Sequence, residues 1–95
     1  MNLIEFKQSL QGTHPPANIS VFLESLWYDK KGNWKKAHDL VDSLPGTEAA
    51  RVHAYLHRVE GDEGNAAYWY RRAGESRPSY GQDQEWEVLV NQFLT

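Results

Sequence analysis

His53, His57 and Glu60 are separated by four and three residues, in a stretch whose apolar positions recur at helical spacing. At 100° per residue the three side chains fall within about 60° of one another, so a helix gathers them on one stripe. Neutral imidazole and carboxylate are ligands for Zn²⁺ and related ions, and an open coordination position on such an ion would permit hydrolysis. No Glu directly follows the first His, which separates the stripe from a metalloprotease helix. The alternative is structural. His53 lies between the apolar arc of Ala49, Val52 and Leu56 and the polar edge of His57 and Glu60, where it would be partly buried and hydrogen-bonded. The structural alternative is the expectation, with no metal, no cofactor and no catalytic residue.

A second set is basic and aromatic: His57, Arg58, Tyr68, Arg71 and Arg72. Guanidinium forks match carboxylate or phosphate, and aromatic faces would shield a bound anion if two neighbouring helices brought the set together. Against this, Arg71 and Arg72 fall in the last turns of a helix, where they favour the negative end of the dipole and have Glu75 as a partner. The isolated glycines and the lack of any Gly-x-Ser-x-Gly exclude phosphate loops and nucleophile elbows. With zero Cys there are no disulfides or thiolate sites.

A formal charge of −3 argues against nucleic acid as a partner, even with Lys30, Lys31, Lys35 and Lys36 near one turn, because phosphate neutralisation needs a basic face. The equivalent later turn carries Glu60, Asp62 and Glu63, so Lys31 and Glu60 are expected to attract across the two turns. No run approaches the roughly 18 apolar residues of a membrane span, and the first residues lack the apolar core of a secretion signal. A cytoplasmic protein without a membrane partner is expected.

The elements that must position these residues are helices. Leu3, Phe6 and Leu10 predict a short leading helix within residues 1–12, closed by Gly12. Ile19, Phe22, Leu23, Leu26 and Trp27 form one buried face of a helix expected over Pro16 to Lys31. Asn33 caps the next, over Trp34 to Ser43, whose inner face is Trp34, Ala37, Leu40, Val41 and Leu44. After Pro45 and Gly46, Thr47 is expected to cap a fourth helix reaching Glu60, and a fifth spans Glu63 to Gly74. Trp86, Leu89, Val90 and Phe93 predict a sixth over Gln82 to Leu94, with Asp83, Glu85, Glu87, Asn91 and Gln92 as its outer face. Trp27, Trp34, Trp69, Tyr70 and Trp86 read as core aromatics.

Gly32, Asn33, Ala37, Val41 and Leu44 recur as Gly61, Asp62, Ala66, Tyr70 and Ala73, each pair 29 positions apart. A fixed offset of roughly 20 to 50 residues marks stacked helical hairpins. The Gly-Asp or Gly-Asn turn, followed by Ala and then an aromatic or large apolar residue, resembles the tetratricopeptide family over about residues 19–75. HAYLHR followed by GD and YWYRRAG also resembles a group of small microbial proteins with no assigned activity. The resemblance implies an all-α, right-handed array of antiparallel hairpins in one domain of about six helices. Residues 1–12 would lead, 16–44 and 47–75 form the two repeats, and 82–94 cap the C-terminal end. Two repeats are few for a solenoid, so the flanking helices or a second copy, as a homodimer, must complete the stack.

The function implied is a non-catalytic interaction module that offers a groove to a protein or peptide. Its partner-binding or anion-binding residues would be His53, His57, Glu60, Arg58, Tyr68, Arg71 and Arg72. The rival class is a small-molecule site or a metal-dependent enzyme built on the His/Glu stripe with the arginines of the fifth helix.

Overall fold

Side-chain caps decide where most of the helices begin. The computed structural model describes all 95 residues and contains six helices and no strand. α1 (Leu3–Ser9) opens with a capping box in which Asn2 accepts from the Glu5 amide and Glu5 accepts from the Asn2 amide. Ser20 caps α2 (Val21–Lys30), Asn33 caps α3 (Trp34–Val41) and Asp62 caps α5 (Glu63–Ala73). α4 (Thr47–Glu60) and α6 (Gln82–Leu94) follow Gly46 and Gly81 with no side-chain cap.

Several boundaries differ from expectation: α1 ends at Ser9 with a right-handed Leu10 as its cap rather than at Gly12, and α3 ends at Val41 rather than Ser43. α2 begins five residues later than Pro16, because Asn18 adopts φ of 63° and Ser20 supplies the cap, leaving Ile19 in the preceding loop. Thr47 is the first residue of α4 rather than its cap.

The repeat is visible in the turns. Gly32 and Gly61 take φ of 86° and 87°, left-handed values that disfavour any residue with a Cβ. Each is followed by the same closing bond: Asn33 N–H donates to Tyr28 C=O and Asp62 N–H to His57 C=O, both at 2.9 Å. These turns fold α2 onto α3 and α4 onto α5.

α4 is the central helix. Nine consecutive residues, Ala49 to His57, are buried because α2, α3, α5 and α6 all pack on it. The main core joins Phe6, Leu26, Trp27, Val41, Val52, Leu56, Trp86 and Leu89, and a smaller cluster joins Ala54, Ala66 and Tyr70. Burial of this apolar area is the main favourable contribution to folding.

α6 packs back over α1, α2 and α4, and the indole of Trp86 donates to Leu26 C=O at 2.9 Å. The polar outer face expected for this helix needs one correction. Glu85 is wholly buried, accepting from Arg58 Nη1 at 2.7 Å and from the Tyr70 hydroxyl at 2.6 Å, with Arg51 Nη1 at 2.8 Å. Two guanidinium groups and a phenol hold a carboxylate that would otherwise be too costly to desolvate. The bundle measures 33 × 26 × 23 Å, and none of its helices is long and apolar enough to cross a membrane.

Candidate metal centre

Residues four apart on a helix lie one above another, so Trp34, His38 and Asp42 form a stripe along α3 and its C-terminal cap. Ala49, His53 and His57 form the matching stripe on α4. α3 packs on α4, and the two stripes meet. The ligand atoms of His38, His53 and His57 all lie within 4.8 Å of one another. Ring centroids are 4.9 Å apart for His38 and His53, 5.4 Å for His38 and His57, and 5.8 Å for His53 and His57.

The three imidazoles have different surroundings. His57 Nδ1 is 2.6 Å from Glu60 Oε1. A carboxylate accepts, so Nδ1–H donates, and in the neutral imidazole Nε2 is then the nitrogen with the lone pair. An outer carboxylate fixing the tautomer and orientation of an imidazole is the arrangement found behind metal-ligating histidines. His53 is 1% exposed, and neither of its ring nitrogens has a hydrogen-bond partner. Its Nε2 lies 3.5 Å from Asp42 Oδ1, close but without hydrogen-bond geometry. Burial, reinforced by neighbouring His38 and His57, lowers its pKa to about 4 against the weaker pull of Asp42, so at neutral pH it is an uncharged imidazole. His38 is half-buried, with Nε2 3.8 Å from Asp42 Oδ1.

Aromatic walls close the cluster. Trp34 stacks on His38 with centroids 4.8 Å apart, and its indole donates to Leu56 C=O. Trp69 stacks on His53 at 4.2 Å. Of the five aromatics expected in the core, Trp27, Tyr70 and Trp86 are buried, whereas half-buried Trp34 and Trp69 serve as this wall.

Zn–N bonds of 2.0–2.1 Å place the ligands of a tetrahedral ion about 3.4 Å apart, so the nitrogens need to close by about 1.5 Å at most. The donor set, three imidazoles with an outer carboxylate, suits zinc, cobalt, nickel or copper rather than calcium or magnesium.

The stripe His53, His57 and Glu60 is therefore brought together, with Glu60 behind His57 rather than beside His53. The basic and aromatic set is not. Arg58 turns away to Glu85 and to Tyr80 C=O, Arg71 is exposed, and Arg72 reaches Tyr68 and lies over the Trp69 ring. Glu75 pairs with Arg51 instead of Arg71 or Arg72. Lys31 donates to the Leu10 and Gly12 carbonyls that end α1, so it does not reach Glu60. His57, Glu60 and Asp62 form a second, more exposed group, but Asp62 is committed to the Asn65 amide and side chain.

His38 and Asp42 are the residues missed from the sequence. Their signal was the spacing of four along Trp34, His38 and Asp42, which falls beside the apolar face of α3. Comparison of the chain with protein-family models, with curated protein sequences and with solved structures finds no match.

Proposed function

We propose that the chain is a binding domain for a divalent transition-metal ion of the zinc class, held by His38, His53 and His57 between its two helical hairpins. The reading is of binding rather than turnover. What carries it is His53: an imidazole 1% exposed, with both nitrogens unpartnered, inside a cluster of three. Buried polar atoms in native proteins are nearly always satisfied, and a bound ion is the partner this donor set suits. The frame is the tetratricopeptide-like array of antiparallel hairpins, supported by the duplicated Gly32 and Gly61 turns. A cytoplasmic location belongs to the same reading.

Thermal unfolding tests it. With Zn²⁺ at about a hundred times its dissociation constant, the midpoint should rise by about 10 °C over chelator-treated protein. The His38→Ala, His57→Ala double variant should show no such rise. Identical midpoints for wild type with zinc and with chelator would overturn the proposal.

A second reading, interaction with a protein or peptide, is favoured by one surface of α5. Tyr68 is 44% exposed, and Arg72 lies over both Tyr68 and Trp69 beside a cleft lined by Pro45, Gly46 and Ala50. Aromatic residues and arginine are the types enriched where protein partners dock. A peptide-library selection compared between wild type and Tyr68→Ala, Arg72→Ala tests this surface; equal enrichment on both would remove it.

A further inference from the structure

A three-histidine ion either keeps a fourth position open for water and substrate or has it filled by the protein, and the two cases separate a catalytic site from a structural one. Asp42 decides between them, provided the metal-binding reading above holds. It follows His38 by one helical turn, and its Oδ1 lies 3.5 Å from His53 Nε2 and 3.8 Å from His38 Nε2. The edge of a tetrahedron around zinc with nitrogen and oxygen ligands is about 3.4 Å. Both distances are within about 0.4 Å of that edge, but Asp42 is 62% exposed and stands outside the group of ligand atoms that lie within 4.8 Å of one another, so its carboxylate must swing inward to complete the shell.

The remaining surroundings agree. Asp42 makes no ion pair with Lys or Arg, and the cations and imidazoles near its carboxylate reduce to His38 and His53. His38 with Asp42 on α3, and His53 with His57 on α4, make two pairs each spaced by four, the spacing at which two side chains of one helix reach a common ion. Charge also balances. A divalent cation among His38, His53 and His57 meets one carboxylate at Asp42, on the exposed side of the cluster, and a second at Glu60, bonded to His57, which offsets the cost of partly desolvating it.

We propose that Asp42 is the fourth ligand, so that the ion sits in a closed tetrahedron of three imidazoles and one carboxylate that ties α3 to α4 and leaves no position for a substrate. The metal is then a structural staple across the loop between the two hairpins.

Co²⁺ is the probe, because its visible absorption is intense when four-coordinate and weak when five- or six-coordinate. Wild type, Asp42→Ala and Asp39→Ala are titrated with Co²⁺, then with azide, which binds an open position. Asp39 is exposed and bonded to Lys35, so Asp39→Ala removes the same charge from the same helix without touching the site. Expected are an intense spectrum unaffected by azide in wild type and Asp39→Ala, and about tenfold or greater loss of affinity in Asp42→Ala with a spectrum that azide alters. Equal Co²⁺ affinity and the same azide-sensitive spectrum in all three proteins would overturn the role of Asp42 while leaving the histidine site standing. Failure of wild type to bind Co²⁺ at all would overturn both.

Discussion

Glu60 accepts the Nδ1 proton of His57 at 2.6 Å, three residues beyond it along α4. The bond sets which nitrogen of His57 is free, and a carboxylate does so more firmly than an amide. Glu60→Gln should therefore weaken zinc affinity about 10- to 100-fold while leaving stoichiometry at saturation unchanged. Competition with a chromophoric chelator measures this. Equal affinity in the two proteins would mean that Glu60 does not orient the ligand.

His53 makes the metal-free protein sensitive to acid. Its folded pKa of about 4 lies below the unfolded value of about 6.5, so the unfolded state binds the proton more readily. Stability from this group is complete above about pH 6.5 and is lost as pH falls toward 4, by about 3 kcal/mol in all. The groups facing it are His38, His57 and Asp42. In chelator, urea unfolding of wild type and His53→Gln should show a difference that changes across this window; parallel curves would contradict the assignment.

The buried carboxylate of Glu85 joins α4, α5 and α6 through Arg51, Arg58 and Tyr70. Glu85→Ala removes the buried acceptor of two guanidinium groups and a phenol, leaving Arg51 only exposed Glu75 and Arg58 only Tyr80 C=O, which should cost about 3 kcal/mol. That is a large share of the roughly 5 to 15 kcal/mol available to a domain of this kind. Glu85→Gln, which can still accept from Tyr70, should cost less. Denaturant midpoints rank the three proteins, and equal values for Glu85→Ala and wild type would rule the network out as a stabilising one.

Asp29 shows the opposite sign. Burial raises its pKa, opposed by the hydrogen bond that the Tyr55 hydroxyl donates to it at 2.6 Å. The folded state holds the Asp29 proton more tightly, so its contribution falls as pH rises above the ordinary carboxylate value near 3.8. Asp29→Asn retains an acceptor for Tyr55 and should be more stable than wild type at neutral pH, with the gap closing in acid. A gap that widens in acid would contradict this.

What could be read from the chain was what is local. Gly32 with Asn33 and Gly61 with Asp62 announce the same turn because left-handed φ and side-chain capping depend on a few adjacent residues. The start of α2 was misplaced because Pro16 is compatible with a first helical turn, while the competing cap at Ser20 and the left-handed Asn18 carry weaker signals. Glu85 looked exposed by its type; only the arrival of Arg51, Arg58 and Tyr70 from two other helices makes its burial tolerable. The His53 and His57 pair was legible as a stripe, yet its third member, His38, comes from another helix. Spacing within one helix says nothing of which residues an adjacent helix brings to it.

The most direct measurement is elemental analysis of protein exposed to excess Zn²⁺ and then freed of unbound ion by gel filtration. One zinc per chain in wild type, and less than about a tenth of that in the His38→Ala, His57→Ala double variant with its helical content intact, is the expected result. Wild type and variant retaining the same amount of zinc, or neither retaining any, would contradict a metal centre between α3 and α4.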